Sequence, residues 1–253
     1  MIFLDFDGTL SEMPTLWQQH TRQVGALLAD QFGGEASEWA SATLNAHNTV
    51  NQEYVARFLY QPMAGYTKWL KQARIQSAEL IFGAMNLPVP ADTLAFVMQT
   101  QYQALIHCNA LYEGAADCLE ALTQAGRTIH IASANDSAFL TATLIGGGID
   151  KFITHRFGPD LLDCAKEGVE FYECLFAETG IEASQAIVVD DHPETLQWAI
   201  KAGANAIQVR LSPTIQYPDA EGVIAILTDL HDLPPLVEQI LPKAQSSTER
   251  LSN

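Results

Sequence analysis

The first apolar segment of the chain is short and ends in acidic residues. Residues 2–4 are Ile-Phe-Leu, and Asp5-Phe6-Asp7-Gly8-Thr9-Leu10 follow directly. The apolar run predicts a buried strand, and the Gly-Thr pair after the acids permits a tight turn. If the strand continues, both carboxylates lie on one face, where they repel each other unless a cation is bound or a pKa is raised. A solvated loop is the alternative for a bare Asp-x-Asp motif, but the preceding apolar run favours a functional role.

Residues 12–109 have apolar side chains at helical spacing and no strand pattern. The pattern predicts four helices that are ended by glycine pairs or by prolines. Their expected bounds are about 16–32, 35–60, 63–86 and 91–108. We expect Trp17, Trp39 and Trp69 to pack within this block rather than to form a ligand cage.

From about residue 113, short apolar runs alternate with helical segments. The expected strands lie at about 128–132, 151–155, 186–189, 206–209 and 223–227, and the last helix at about 230–241. This alternation predicts an α/β fold, a doubly wound parallel sheet of the Rossmann-like type that is covered on both faces. The expected division is a core of residues 1–11 and 110–241, an inserted all-helical cap of residues 12–109, and a disordered polar tail of residues 242–253.

The chain has the composition of a globular protein with a strongly negative charge. Its 253 residues include 13 Lys and Arg against 30 Asp and Glu, a net charge of −17. This balance argues against nucleic acid or an anionic membrane as a partner. No apolar run reaches transmembrane length and no basic region precedes the first run, so we expect the first strand to belong to the mature fold. The four cysteines form no Cys-x-x-Cys pair, which favours reduced thiols in a cytoplasmic protein over a zinc site.

Polar residues follow the ends of several expected strands. They are Asp5 and Asp7, Ser133-Ala134-Asn135, Lys166, and Asp190-Asp191. Because the carboxyl ends of parallel strands meet at one edge of the sheet, we expect these residues to share one crevice. Carboxylates, an ammonium and a hydroxyl beside free backbone amides are suited to metal-assisted phosphoryl transfer.

Taken in order, these motifs resemble the haloacid dehalogenase superfamily, in particular its phosphatase-type members with a helical cap after strand one. The resemblance extends to about Val209. It rests on Asp5-Phe6-Asp7-Gly8-Thr9, on Ile129-His130-Ile131-Ala132-Ser133, on Lys166, and on Val188-Val189-Asp190-Asp191-His192-Pro193-Glu194. One departure is Glu167, which stands where the family usually has a proline.

The resemblance implies a role for each residue. Asp5 would be the nucleophile, and Asp7 would be the general acid and base, with its backbone carbonyl on the metal. Asp191 would bind Mg²⁺, and Asp190 would either bind it too or orient Lys166. The phosphate would lie against Ser133, Lys166, and the backbone around Gly8, Thr9, Ala134 and Asn135.

Other roles are open for single residues. Ser133 could cap the helix that follows its strand, and a lone lysine such as Lys166 is most often a solvated surface residue. His192 is expected to start a helix, and His130 to be a core histidine with its hydrogen bonds satisfied.

We expect the substrate to be a small phosphorylated metabolite. Dehalogenases of the superfamily lack the second acid, so Asp7 favours phosphate-ester hydrolysis. A phosphomutase is the alternative, although Trp17 stands near the place of the mutase histidine; a non-catalytic binding protein would have lost Asp5 or Lys166. The cap should gate the crevice, with hinges near residues 11–14 and 110–114. The sequence does not decide the oligomeric state, and a homodimer stays open.

Overall fold

A six-stranded sheet forms the centre of the computed structural model, which describes residues 1–59 and 65–241. In chain order the strands are β1 (Ile2–Leu4), β2 (Ile129–Ala132), β3 (His155–Phe157), β4 (Ile187–Asp190), β5 (Asn205–Val209) and β6 (Ala225–Leu227). Their order across the sheet is β3-β2-β1-β4-β5-β6. Every neighbouring pair is parallel, so all strands end at the same edge.

Helices cover both faces of this sheet. The described residues contain the following helices in chain order, of which the first four lie in the insertion: α1 (Met13–Phe32), α2 (Ala36–Phe58), α3 (Tyr66–Ala84), α4 (Thr93–Leu105), α5 (Ala115–Gln124), α6 (Ser137–Gly146), α7 (Pro159–Leu162), α8 (Val169–Thr179), α9 (Pro193–Lys201) and α10 (Leu233–Ile240). Side chains alternate along β1, so Ile2 and Leu4 pack with α5, α6 and α10, while Phe3 packs with α8 and α9. The predicted α/β fold with a parallel sheet covered on both faces is therefore confirmed.

The four helices α1 to α4 all lie between β1 and β2 in the chain. Trp39 is fully buried among them, as predicted for a packing residue. The chain leaves and re-enters the sheet through two paired segments, in which Ser11 bridges Leu111 and the Glu12 N–H donates to the Ala110 carbonyl. These are the predicted hinge positions. The division into a core and a cap stays a prediction.

Two local differences from the sequence prediction have physical causes. The strand expected at 151–155 is displaced to His155–Phe157, because residues 150–152 form a 3₁₀ turn. The last strand is only Ala225–Leu227, and its residues are half-buried at the edge of the sheet. The expected tail at 242–253 and the junction of the second and third helices fall outside the described residues.

Candidate active site

The predicted polar residues lie at the carboxyl edge of the sheet. Because β2, β1 and β4 are adjacent and parallel, Ser133, Asp5 and Asp190 are brought together there. A cleft of about 280 Å³ opens at this edge. Thr9 lies outside its lining and is fully buried, and its hydroxyl has no hydrogen-bond partner among the described residues. The other predicted site residues line the cleft: Asp5, Asp7, Gly8, Ser133, Ala134, Asn135, Lys166, Asp190 and Asp191.

Lys166 is a buried cation, with only 6% of its surface exposed. Its Nζ donates to Asp5 Oδ1 at 2.7 Å, to Asp190 Oδ2 at 2.8 Å and to the Ala132 carbonyl at 2.8 Å. An ammonium has three protons, so these contacts use all of them. Burial alone would lower the pKa of Lys166, but the Asp190 and Asp5 carboxylates hold it well above its ordinary value. The surface alternative for Lys166 is therefore wrong.

The two acids after Val189 differ in their surroundings. Both oxygens of Asp190 accept hydrogen bonds, Oδ2 from Lys166 and Oδ1 from the His192 backbone N–H at 2.9 Å. The Asp191 carboxylate instead lies against Gly8, where an added Cβ would stand 2.1 Å from Asp191 Oδ2. Gly8 also has a φ of 83°, so both the space and the backbone conformation require glycine there.

Three carboxylates of the cleft are close enough to share a cation. One oxygen from each of Asp5, Asp190 and Asp191 lies within 4.8 Å of the other two. Burial raises the pKa of Asp5 and of Asp191, and the charge of Asp190 beside them raises both further. This negative charge exceeds what the Lys166 ammonium offsets, and an all-oxygen set of this kind suits Mg²⁺. The residues present therefore fit the predicted metal.

Asp7 is held by a single side-chain contact. Asn135 Nδ2 donates to Asp7 Oδ2 at 2.7 Å, whereas Asp7 Oδ1 is buried without a partner among the described residues. Burial raises the pKa of Asp7 to about 6, although the Asn135 hydrogen bond opposes the rise. A carboxyl group with this pKa exchanges a proton readily near neutral pH. Asn135, expected beside the phosphate, thus also positions Asp7.

Ser133 is buried beside the nucleophile candidate. It does not cap the next helix, because Asp136 is the N-cap of α6 and accepts from the N–H groups of Ala138 and Phe139. The Ser133 Oγ instead accepts from the Asn135 N–H at 3.3 Å. Among the described residues it donates to no acceptor, which leaves its proton available to a ligand.

Two histidines near the sheet edge differ from each other. His192 is the residue before α9, as predicted, and its Nδ1 lies 3.0 Å from Glu194 Oε2. His130 is buried in β2, but neither ring nitrogen has a partner within the described chain, so the prediction of satisfied hydrogen bonds is wrong. Its ring stacks on Phe3 and on His155, with centroids 5.2 and 5.4 Å apart.

The helices α2 and α3 contact the core beside the cleft. Tyr54 Oη donates to Glu167 Oε1 at 2.9 Å, and Arg74 forms an ion pair with Asp136 at 2.8 Å. The Thr67 backbone N–H donates to Asp163 at 3.1 Å. Asp163 and Glu167 flank Lys166, and Asp136 is the N-cap of α6, so α2 and α3 contact both segments that lead away from the cleft.

Sequence reasoning missed one wall of the cleft. This wall lies beyond Asp191, and its residues come from the segment after α4, from α9 and from the loop after β5. The strand-end rule applied to β5 would have located that loop. The members of the wall are Tyr112, Thr195, Trp198, Ser212, Ile215 and Tyr217; Met13, Pro14 and Leu59 of the inserted segment also line the cleft and were not predicted as site residues.

No helix within the described residues is long and apolar enough to cross a membrane. Among curated proteins, none matches the chain.

Solved structures share the fold at low sequence identity. An L-2-haloacid dehalogenase from Xanthobacter autotrophicus is 16% identical, with a TM-score of 0.59 over 95% of this chain and 98% of that one. The defluorinating L-2-haloacid dehalogenase Rha0230 is 15% identical, with a TM-score of 0.64 over 94% of each chain. The HAD-hydrolase YfnB from Bacillus subtilis, solved bound to magnesium, is 14% identical, with a TM-score of 0.62 over 93% of this chain and 97% of that one.

A protein-family model covers most of the chain. It describes haloacid dehalogenase-like hydrolases and matches residues 1–203. This range includes each of the four motifs and the residues that line the carboxylate side of the cleft. The chain therefore belongs to the haloacid dehalogenase-like hydrolases.

Proposed function

We propose that this hydrolase cleaves small phosphate monoesters with Mg²⁺ bound, and that Asp5 attacks phosphorus while Asp7 moves the proton. The observation that carries the proposal is Asp7. It is a second carboxyl group in the same cleft, held by Asn135, with one buried oxygen unpaired among the described residues and a pKa raised to about 6. An alkoxide leaving group needs such an acid, whereas a halide does not.

The reaction has two steps. In the first, an Asp5 oxygen forms a bond to phosphorus, the bond from phosphorus to the ester oxygen breaks, and Asp7 gives its proton to the leaving alkoxide. In the second, Asp7 takes a proton from a water molecule whose oxygen attacks the phosphorus of the aspartyl-phosphate. Inorganic phosphate is released and the Asp5 carboxylate is restored.

Asp5, Asp191 and the Asp7 backbone carbonyl would hold the metal, and Asp190 would serve chiefly to orient Lys166. Both oxygens of Asp190 already accept hydrogen bonds, which supports that role. When bound, Mg²⁺ would offset negative charge on the phosphoryl group and on the carboxylates.

The phosphoryl oxygens need donors that the protein does not already use. The Ser133 hydroxyl and the Ala134 backbone N–H donate to no acceptor in the described part of the chain. Lys166 contributes its charge, but its three protons are engaged by Asp5, Asp190 and the Ala132 carbonyl. It therefore acts by setting the position of Asp5 unless one of these bonds is exchanged for the substrate.

A 2-haloacid dehalogenase is the second candidate, because proteins of this activity share the fold. A 2-haloacid bears a carboxylate that requires a cationic partner. Apart from Lys166, no lysine or arginine among the described residues lines the cleft. The second acid, Asp7, also departs from the dehalogenase pattern. Both observations favour the phosphatase.

A phosphomutase is favoured less. Its acid–base histidine would be expected near Trp17, and Trp17 instead packs on Phe139 and His47, with ring centroids 6.0 and 3.9 Å away.

The test measures phosphate release from 4-nitrophenyl phosphate and from an alkyl phosphate with Mg²⁺. Asp5→Asn should abolish both activities. Asp7→Asn should lower kcat/KM by about 10²-fold or more for the alkyl ester and much less for the nitrophenyl ester, since kcat/KM reports the first step and nitrophenolate leaves without a proton. Asp30→Asn, an exposed acid on α1, serves as the matched control. Halide release from 2-chloropropionate, with no phosphate released from any ester, would instead establish the dehalogenase.

A further inference from the structure

The wall missed by sequence reasoning lines the same cleft as Asp5 and Asp191. Trp198 contributes from α9, Tyr112 from the segment that returns to the sheet, and Ile215 and Tyr217 from the loop after β5. We call this group, together with Ser212, the distal wall. Its indole, phenol and aliphatic side chains present apolar surface beside the carboxylates. A phosphomonoester bound at Asp5 would share one cleft with the distal wall.

The loop that contributes most of the distal wall is fixed by the protein itself. Gln208 in β5 is fully buried, and its side chain donates to the carbonyls of Asp191 and Pro218 and accepts from the Ala220 N–H at 2.9 Å. The loop is thereby tied to the residue that follows β4. Arg210 and Asp219 form an ion pair across its base.

The tip of the loop is also ordered by its own contacts. Ser212 Oγ accepts from the Ile215 N–H at 2.9 Å. The wall is therefore built before a ligand arrives, which reduces the entropy lost on binding.

The charged groups that line the cleft are mostly negative. Its lining includes five carboxylates, those of Asp5, Asp7, Glu167, Asp190 and Asp191. Lys166 has no proton left to donate, and Nδ1 of His192 is next to Glu194. A carboxylate or second phosphate on the leaving group would be repelled here, because no cationic side chain other than Lys166 lines the cleft within the described residues.

We propose that the distal wall is the leaving-group subsite and selects phosphomonoesters whose leaving group is aromatic or apolar and has no negative charge. This inference rests on the proposed phosphatase activity. It places part of the specificity on α9 and on the loop after β5, in addition to Met13, Pro14 and Leu59 of the inserted segment, which line the same cleft. Trp198 and Tyr217 contribute aromatic surface to the lining, and the His192 ring packs edge-on to Tyr217 with centroids 4.6 Å apart.

Matched substrates test the inference. Benzyl phosphate, 4-carboxybenzyl phosphate and ethyl phosphate have alkoxide leaving groups of similar basicity, so differences in kcat/KM report the subsite. Benzyl phosphate should exceed each of the other two by at least about tenfold, the usual value of one well-filled apolar contact. Equal turnover of the carboxylated ester, or of the ethyl ester, would overturn the inference.

Affinity measurements with substrate analogues test the subsite proposal independently of the phosphatase proposal. Benzylphosphonate and 4-carboxybenzylphosphonate are not hydrolysed, and calorimetry with Mg²⁺ present measures their affinities directly. Preference for benzylphosphonate without turnover of any ester would refute the phosphatase and retain the subsite. Turnover without any preference would refute the subsite and retain the phosphatase.

Two variants locate the effect. Trp198→Ala should reduce the kcat/KM ratio of benzyl to ethyl phosphate to near one. Ile215→Lys should raise the ratio of 4-carboxybenzyl to benzyl phosphate by about tenfold or more, because it supplies the missing cation. Gln216→Lys adds the same charge at an exposed position outside the lining and should leave both ratios unaltered. If Gln216→Lys changes the ratios as much as Ile215→Lys does, long-range charge explains them and the subsite is refuted.

Discussion

At the scale of single residues, the site depends on one ammonium between two carboxylates. Lys166 Nζ lies 2.7 Å from Asp5 Oδ1 and 2.8 Å from Asp190 Oδ2, and all three side chains are buried. Removing one partner of such a cluster leaves an unpaired charge buried. The resulting loss in the free energy of unfolding is larger than the net stability that the intact pair contributes. Lys166 is thus expected to matter for folding as well as for catalysis.

Lys166→Met should lower the free energy of unfolding by about 3–5 kcal/mol, because Asp5 and Asp190 are then buried without a counter-charge. Chemical denaturation measures the change, with Lys68→Met on exposed α3 surface as the control. Adding Asp190→Asn to the first variant should recover part of the loss, since one of the two charges is removed. Equal stability of the Lys166 and Lys68 variants would contradict this prediction.

The sequence predicted the cleft position of Asp5, Lys166 and Asp191 because the strand-end rule depends only on topology. It did not predict that Asn135 holds Asp7. That contact depends on side-chain rotamers and on the path of the chain after β2, which no periodicity encodes.

At the scale of the elements, the packing of α1 on α2 includes a buried histidine without partners. His20 is 6% exposed, and neither ring nitrogen has a hydrogen-bond partner among the described residues. Its ring lies at an edge-on angle to Trp17, with centroids 5.3 Å apart. Burial, and to a smaller extent the charge of His47 nearby, lowers the pKa of His20 to about 4. The helical spacing predicted α1 but gave no sign of this unsatisfied group.

His20 should make the stability of the protein fall in mild acid. Its folded-state pKa of about 4 is below the ordinary value of about 6.5. Its contribution to the free energy of unfolding is therefore fully present above about pH 6.5. The contribution, at most about 3 kcal/mol, is lost as the pH falls toward 4, because the unfolded chain binds the proton first. Unfolding measured from pH 7 to pH 4 should show a shallower decline for His20→Leu than for the wild type.

Leu28→Ala, a buried position in the same helix, is the control for that measurement. It should lower stability by about 2–5 kcal/mol at every pH without changing the slope. If His20→Leu shows the same slope as the wild type, the prediction fails.

At the scale of the whole molecule, the excess of negative charge affects every measurement of metal binding. The net charge is −17, so added salt reduces the self-repulsion of the folded chain whether or not the cation binds at a specific site. Only a comparison at equal ionic strength distinguishes Mg²⁺ held by Asp5 and Asp191 from this general effect.

MgCl₂ at saturating concentration should raise the Tm by about 3 °C or more above the value in NaCl of equal ionic strength, since a ligand that binds only the folded state stabilises it. Asp191→Asn should remove this difference, and Asp30→Asn should keep it. Scanning calorimetry with EDTA-treated protein provides the baseline. Identical Tm values in the two salts would contradict the metal site.

The central position of β1 has a consequence for how the chain folds during synthesis. Ile2 pairs with Ile129 on one side and with Ile187 on the other, so this strand leaves the ribosome long before either neighbour. The helices α1 to α4 make mostly local contacts and can form first. Because β1 stays unpaired until β2 and β4 have been synthesised, the surroundings of the nucleophile candidate at its end are completed only after residue 190 has left the ribosome.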